Sequence, residues 1–125
     1  MKENVILNKS FEFAVRIVNL YKYLTTEKKE LVMSKQILRS GTSIGANAEE
    51  ADSGQNKKDF IAKMNIVLKE AEETCYWLRL LDRTDYIENK IFESILADCN
   101  EIIAIVTAII VTARKNIKNN TPNEK

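Results

Sequence analysis

Three glutamates, Glu50, Glu70 and Glu73, have the residue type and spacing that chemistry at a carboxylate site would require. Clustered carboxylates act in enzymes as general acid and base, or they bind a hard cation. Histidine is absent from the 125 residues, which excludes a Ser–His–Asp triad, an HExxH zinc site and a Glu-x-x-His di-iron site. Carboxylates alone bind cations such as magnesium weakly, so salt-bridged or solvated helix faces are the better interpretation. We expect no enzyme, no cofactor and no metal, and the sequence identifies no small-molecule substrate.

Polar residues recur at steps of three and four in the segment that ends at Glu50. Its members are Ser40, Ser43, Asn47 and Glu50. The line could border a ligand groove, or it could form a hydrogen-bond ladder to a neighbouring helix. The ladder is favoured because inward polar residues of bundles more often specify the helix register than perform reactions. Arg39 begins this ladder, and we expect it to pair with Glu70 or Glu73.

Basic residues are concentrated in the outer parts of the sequence, although the net charge is only +1. If four helices alternate in direction, the start of the first and the end of the fourth meet at one end of the bundle. The basic residues brought there are Lys2, Lys9, Lys57, Lys58, Arg114, Lys115 and Lys118. Such an end would bind nucleic-acid phosphates with little base specificity. The alternative, which is slightly favoured, is that these cations keep the end soluble and complement the dipole of the last helix.

The sequence contains only 3 glycines and 1 proline. So few turn signals favour a small number of long helices, and four helical segments can be distinguished that would position these residues. Apolar residues at helical spacing predict a first and shortest helix from about Asn8 or Ser10 to Leu24. Capping signals predict a second helix from Thr25 or Thr26 to about Gly54, a third from Asn56, and a fourth from Asp85 to about Lys118. Gly41 and Gly45 form a stripe of small residues, which we expect to serve close helix packing rather than ligand binding.

Short connections between these helices predict an all-α, antiparallel up-down-up-down four-helix bundle at residues 1–118, with a polar tail at 119–125. No charge occurs between Glu101 and Arg114, so the fourth helix must be buried on more than one side, which predicts a closed homo-oligomer. The expected interface residues are Phe13, Ile17, Ile102, Ile105, Val106 and Ile109.

The expected location of the protein is the cytoplasm. The longest uncharged apolar run is too short to span a bilayer, so we expect no membrane association. Cys75 and Cys99 lack CxxC or zinc-site spacing, and we expect them to be reduced, buried and small apolar residues.

Two segments carry a family resemblance: RSGTSIGANAEEA at Arg39–Ala51, and DFIAKMNIVLKEAEETCYWLRLL at Asp59–Leu81. They resemble the four-helix-bundle family encoded in intervening sequences of 23S ribosomal RNA genes. Ala48 and Glu49 depart from the pattern, since many members have Ile-Ala there. The resemblance implies a cytoplasmic, non-enzymatic left-handed bundle that assembles into a barrel-shaped homopentamer. It also implies a fold similar to the accessory protein of diversity-generating retroelements, which binds nucleic acid and a reverse transcriptase.

Three functions are compatible with these observations. The first is an oligomeric interaction protein that binds RNA or an RNA-handling partner. The second is a structural scaffold without nucleic-acid binding. The third and least favoured is a carboxylate-based enzyme, and it is the only one against which the sequence itself discriminates.

Overall fold

The chain is all-α throughout the residues that the structure describes. The computed structural model describes residues 2–53 and 56–120, and the side chains of residues 5–53 and 56–118. Within these ranges there are four helices and no strand. They are α1 (Lys2–Thr26), α2 (Met33–Asp52), α3 (Lys57–Arg83) and α4 (Asn89–Asn120). The predicted all-α architecture with four helices is confirmed.

Two helix lengths differ from the sequence prediction. Helix α1 starts at Lys2, and Ile6 in its first turns is fully buried. At 25 residues α1 is longer than α2, which has 20, so the expectation that the first helix is the shortest is wrong. Helix α4 continues to Asn120, two residues into the predicted tail. Residues 121–125 of that tail, and Gly54 at the predicted end of the second helix, lie outside the described residues.

The predicted start of α2 at Thr25 or Thr26 is wrong. Both threonines lie in the last turn of α1. Their hydroxyls donate to carbonyl oxygens of their own helix, Thr25 to Tyr21 at 2.9 Å and Thr26 to Lys22 at 2.6 Å. Because a threonine hydroxyl can bond to a carbonyl inside a helix as well as to a free N–H at a helix start, residue type alone did not distinguish the two positions.

Glu30 caps α2 instead. Its carboxylate accepts hydrogen bonds from the backbone N–H groups of Val32 (3.1 Å), Met33 (3.0 Å) and Ser34 (2.7 Å). The side chain is nearly buried, at 8% exposure. Burial acts to raise the pKa of Glu30, but these backbone hydrogen bonds outweigh it and hold the pKa below its ordinary value.

Helix α3 follows the sequence pattern closely. The side chain of Asn56 accepts a hydrogen bond from the N–H of Asp59 at 2.9 Å, as the capping signal indicates. The residues spaced three and four apart along α3 form its buried face. They are Met64, Val67, Ala71, Thr74, Leu78 and Leu81.

The predicted cap of α4 at Asp85 is wrong, because Asp85 terminates α3. Its φ is +65°, in the left-handed region that aspartate tolerates better than most residues. The N–H of Asp85 bonds to the carbonyl of Asp82 at 3.2 Å, and the N–H of Tyr86 bonds to that of Leu81 at 3.0 Å. This pair of bonds is a Schellman motif. Helix α4 therefore begins only at Asn89.

Each helix contacts its neighbours in the order α1–α2, α2–α3, α3–α4 and α4–α1, and the α1–α4 contact is the least extensive. At the α2–α3 and α1–α4 interfaces, residue numbers rise along one helix as they fall along the other. The pairs that show this order are Arg39–Glu70, Glu50–Lys63, Lys9–Glu101 and Arg16–Ser94.

Five of the six residues expected at an oligomer interface lie in the core of the single chain. The exposed fractions are 2% for Phe13, 0% for Ile17, 1% for Ile102, 0% for Val106 and 3% for Ile109. Only Ile105 is partly buried. The apolar run of α4 is covered by α1 and α3 of the same chain. The exposed positions of this run are Ala104, Thr107, Val111 and Thr112. Val111, at 47% exposure, is the one large apolar side chain among them, so most of the apolar arc is covered without a second copy.

By length and composition alone, α4 would cross a membrane. An 18-residue window within Asn89–Lys118 has a mean hydropathy of 2.0, and a third of that window is buried. The prediction that no segment is long enough to span a bilayer was based only on the length of the uninterrupted apolar run. The core helix of a soluble protein meets the same criterion, and Ile102 and Val106 of α4 are such core residues.

The two α2 glycines differ in how closely α1 approaches them. A Cβ at Gly41 would lie 2.7 Å from Cγ1 and 2.8 Å from Cγ2 of the buried Ile17. A Cβ at Gly45 would meet its nearest atoms, in Ser10, at 3.4 Å, which is an ordinary contact. Gly41 is therefore required for the packing of α1 against α2, and Gly45 is not.

We expect Gly41→Ala to be less stable than Gly45→Ala by about 1 to 3 kcal/mol, the usual cost of overpacking a core. The two variants are matched, because each gains the same helix propensity of about 1 kcal/mol. Urea unfolding followed by circular dichroism measures the difference. The cost of Gly41→Ala should disappear in an Ile17→Ala background, and equal stabilities of the two glycine variants would contradict the close approach.

We expect Glu30→Gln to lower the free energy of unfolding at neutral pH by about 1 to 3 kcal/mol, because charge-assisted hydrogen bonds to three N–H groups are weakened. A carboxylate with a lowered pKa stabilises the fold above its unfolded pKa. That stability is lost as the pH falls below the ordinary value of 4.5 and on through the folded pKa. Denaturation curves of the wild type and Glu30→Gln should therefore converge in acid. The control is Glu27→Gln, at an exposed glutamate of the same connection; an equal loss there would contradict the capping role.

Candidate functional site

The structure brings Arg39 of α2 together with both glutamates that the sequence named as its partners. Arg39 Nη1 lies 3.2 Å from Glu70 Oε1, and Nη2 donates to Glu73 Oε2. The Trp77 Nε1–H donates to the same Glu73 oxygen at 3.0 Å. The hydrogen bond from Trp77, followed by that from Arg39, lowers the pKa of Glu73. The carboxylate is thus ionised at neutral pH and is held by two donors.

The residues that follow Arg39 and Glu73 in the chain form a buried pair of hydroxyls. Ser40 of α2 and Thr74 of α3 are both 0% exposed, and Thr74 Oγ1 lies 2.8 Å from Ser40 Oγ. The same oxygen lies 2.8 Å from the backbone carbonyl of Glu70. Arg39 and Ser40 of α2 therefore form the cross-helix part of the predicted ladder with Glu70 and Glu73.

The remaining ladder residues do not join that cluster. Ser43 donates to the carbonyl of Arg39 at 2.6 Å, and Asn47 donates to that of Ser43 at 2.9 Å, so both satisfy their own helix. Glu50 forms a separate ion pair with Lys63, 2.6 Å from Nζ to Oε1, at the exposed surface. The sequence reasoning missed Lys63, whose position is apparent only once α2 and α3 are placed in register.

Two ion pairs that the sequence reasoning also missed join α1 to α4. Lys9 Nζ lies 3.0 Å from Glu101 Oε1, and Arg16 Nη1 lies 2.6 Å from Asp98 Oδ2. Arg16 also donates to Ser94 Oγ at 3.0 Å. These side chains border a shallow groove between the two helices, with the core residues Phe13 and Ile102 at its base.

The carboxylates predicted as candidate chemistry are all engaged with cations. Glu70 and Glu73 share one guanidinium, and Glu50 lies far along α2 with its own lysine. Over the described side chains, 5–53 and 56–118, no group of three or more histidine, cysteine, aspartate or glutamate residues could hold a metal ion. This arrangement connects α2 to α3 and pairs each of the three glutamates with a cation.

The predicted basic residues fall into two groups. Five are exposed and appear in no ion pair among the described side chains. They are Lys57 and Lys58 at the start of α3, and Arg114, Lys115 and Lys118 in the last turns of α4. Lys9 differs because Glu101 neutralises it, and the side chain of Lys2 lies outside the described residues.

The two cysteines are adjacent, which their sequence spacing did not indicate. Cys75 Sγ of α3 lies 3.2 Å from Cys99 Sγ of α4, and both are free. Cys99 is fully buried, as expected, whereas Cys75 is only partly buried. Their proximity follows from the α3–α4 register, for which the sequence contains no motif.

Comparisons with known proteins agree with this architecture. Residues 2–108 match the family model described as 23S rRNA-intervening sequence protein. A crystal structure of a protein with unknown function from the S23 ribosomal protein family of Bacteroides thetaiotaomicron is 63% identical, with a TM-score of 0.87 over 88% of this chain and 98% of that one. A comparison with curated proteins finds no match. The chain therefore belongs to the 23S rRNA-intervening sequence protein family.

Proposed function

We propose that this protein is a non-enzymatic, cytoplasmic, oligomeric interaction protein that binds RNA through the basic end of its bundle. The observation that carries the proposal is the group of five exposed cations without ion pairs at the start of α3 and the end of α4. We name this group the basic end: Lys57, Lys58, Arg114, Lys115 and Lys118.

The basic end depends on an antiparallel, up-down-up-down arrangement of the helices, which we propose to be left-handed as in the family resemblance. The opposite residue order at the α2–α3 and α1–α4 interfaces supports it. The Cys75–Cys99 contact near the middle of α3 and α4, with Asn89 close to Asp82 at the turn, supports the same order at the third interface. In that arrangement the first turn of α3 and the last turns of α4 lie at one end.

Charge at this end favours an anionic partner. The exposed carboxylates nearest to it in the chain are those of Glu49, Glu50, Asp52 and Asp59. Glu50 is paired with Lys63, and the five cations of the basic end outnumber all four carboxylates. Unpaired lysine and arginine side chains bind phosphates by releasing counterions, without reading base sequence. The family name refers to a segment of 23S rRNA, and the similar structure is assigned to a ribosomal protein family, which supports RNA as the anion and the cytoplasm as the location.

A non-enzymatic role is supported by the state of the carboxylates. Glu70 and Glu73 bind Arg39, and the lowered pKa of Glu73 makes it a weak proton acceptor at neutral pH. These residues connect α2 to α3, and we assign them the structural function of a ladder.

Assembly into a closed homo-oligomer, of five copies as the family resemblance implies, would repeat the basic end around a ring. The apolar side chains left exposed by the chain are the natural contact surface. Phe11 is 59% exposed and Val15 is 42% exposed. Phe11 borders a shallow groove together with Ala14 of α1 and Ala46 of α2, and Val15 lies one turn along α1 from Phe11. We name Phe11, Ala14, Val15 and Ala46 the α1–α2 face.

RNA binding is tested by neutralising three cations of the basic end together, in the variant Arg114→Gln, Lys115→Gln, Lys118→Gln. Fluorescence polarisation with a labelled RNA hairpin, titrated at low and moderate salt, measures affinity. We expect wild-type affinity to fall steeply with salt. In the variant, the slope of log affinity against log salt should become shallower by about 2 to 3, because about one counterion is released for each phosphate contact.

The matched control is Lys35→Gln, Arg83→Gln, Lys90→Gln, which removes one arginine and two lysines from exposed positions at the opposite end. It should retain the wild-type slope. Absence of RNA binding at low salt, or an equal loss in the control, would contradict the proposal and leave the scaffold interpretation.

Assembly is tested by light scattering at micromolar concentration. We expect a mass that is a multiple of the 14.3 kDa chain, and we expect Phe11→Glu to weaken assembly by about tenfold or more, because it would bury an unpaired charge. The control is Leu31→Glu, since Leu31 is also 59% exposed but lies in the α1–α2 connection. A 14.3 kDa wild-type monomer, or unchanged assembly of Phe11→Glu, would contradict this interface.

A further inference from the structure

Cys75 and Cys99 form the closest pair of reactive groups in the described part of the chain that the proposed function does not use. Cys75 Sγ lies 3.2 Å from Cys99 Sγ across the α3–α4 interface. A disulfide requires about 2.05 Å between the two sulfurs, so a shift of little more than 1 Å would join them. The two cysteines are 24 positions apart in the sequence, and the turn between the helices lies between them.

The environments of the two sulfurs are unequal. Cys99 is fully buried, and its Sγ–H donates to the Ala71 carbonyl of α3 at 3.2 Å. Cys75 is only partly buried and lies within 3.8 Å of the Asn100 side-chain oxygen at the surface. A small oxidant from solvent therefore reaches Cys75 before it reaches Cys99.

Electrostatics support the same order. The contact with Cys99, together with the charge of Arg79, lowers the pKa of Cys75 against the opposing effects of burial and of Glu72. The same contact with Cys75, followed by burial, raises the pKa of Cys99. Because the thiolate is the nucleophile, Cys75 is the sulfur that attacks first.

We propose that Cys75 and Cys99 are a modification site, a dithiol that a peroxide oxidises to a reversible disulfide between α3 and α4. The Cys75 thiolate attacks one oxygen of hydrogen peroxide, the O–O bond breaks, and the released hydroxide takes a proton to form water. Cys75 is then a sulfenic acid. Cys99 sulfur attacks Cys75 sulfur, the S–O bond breaks, and the departing hydroxide takes the Cys99 proton as a second water.

Two sulfurs are thus oxidised by one electron each, and one peroxide is reduced to two waters. A cytosolic disulfide of this kind is usually transient and redox-sensing rather than structural. It would hold α3 and α4 together by a covalent bond and restrict the unfolded chain. This site is independent of RNA binding and of assembly.

Full-length protein treated with hydrogen peroxide tests the proposal. Thiol titration under denaturing conditions should fall from two thiols to none, and the mass of the chain should fall by two hydrogen atoms. Dithiothreitol should restore both thiols. On a non-reducing denaturing gel the oxidised protein should migrate as a single chain, and its melting temperature should rise by several degrees.

Two variants separate the roles of the sulfurs. In Cys99→Ser the reaction should stop at the Cys75 sulfenic acid, which dimedone traps. In Cys75→Ser the buried Cys99 should react at least about tenfold more slowly than Cys75 in the wild type. Persistence of both thiols in peroxide, a disulfide between chains, or equal reactivity of the two single variants would overturn the proposal, and the wild-type thiol count decides even if one variant folds poorly.

Discussion

The position of α2 between its two neighbours depends on the consecutive residues Ser40 and Gly41. Successive residues of a helix point about 100° apart, so this pair faces two partners at once. Gly41 lies against Ile17 of α1 with no space for a Cβ, while Ser40 meets the hydroxyl of Thr74 on α3. Both are buried. A slide of α2 along α3 would separate two buried hydroxyls, and a slide along α1 would place larger residues against Ile17.

The ion pairs of α2 follow from that register. With Ser40 opposite Thr74, the preceding Arg39 lies over Glu70 and Glu73, and the more distant Glu50 reaches Lys63. Arg39 and Glu50 of α2 are therefore each paired within the chain. The cations of the basic end, at the start of α3 and in the last turns of α4, lie outside these interfaces and are exposed. The same packing that pairs Glu50, Glu70 and Glu73 with cations leaves the basic end exposed.

The features that the sequence predicted are those encoded by local pattern. Helix number, the buried face of α3 and the Asn56 cap each depend on residues within one or two turns. Arg39 and its glutamates were foreseeable because opposite charges recur at matching steps on two consecutive helices. The starts of α2 and α4 could not be predicted in this way, because threonine and aspartate occur both at the first and at the last residues of helices. Nor could periodicity show whether Phe13 and Ile102 are covered by their own chain or by a second copy. The meeting of Cys75 with Cys99 requires the α3–α4 register, which no local motif specifies.

The four interfaces also differ in strength, and this determines how the bundle opens. The α1–α4 contact is the least extensive, and its ion pairs involve side chains that are 37% to 52% exposed, so each contributes only about 0 to 1 kcal/mol. The α2–α3 contact is the most extensive and contains the buried hydroxyl pair. Local opening takes the route of lowest free energy, so we expect α1 to separate from α4 before α2 separates from α3. Both sulfurs lie at the α3–α4 interface, so a bond between them would strengthen that interface and leave the α1–α4 contact free to open.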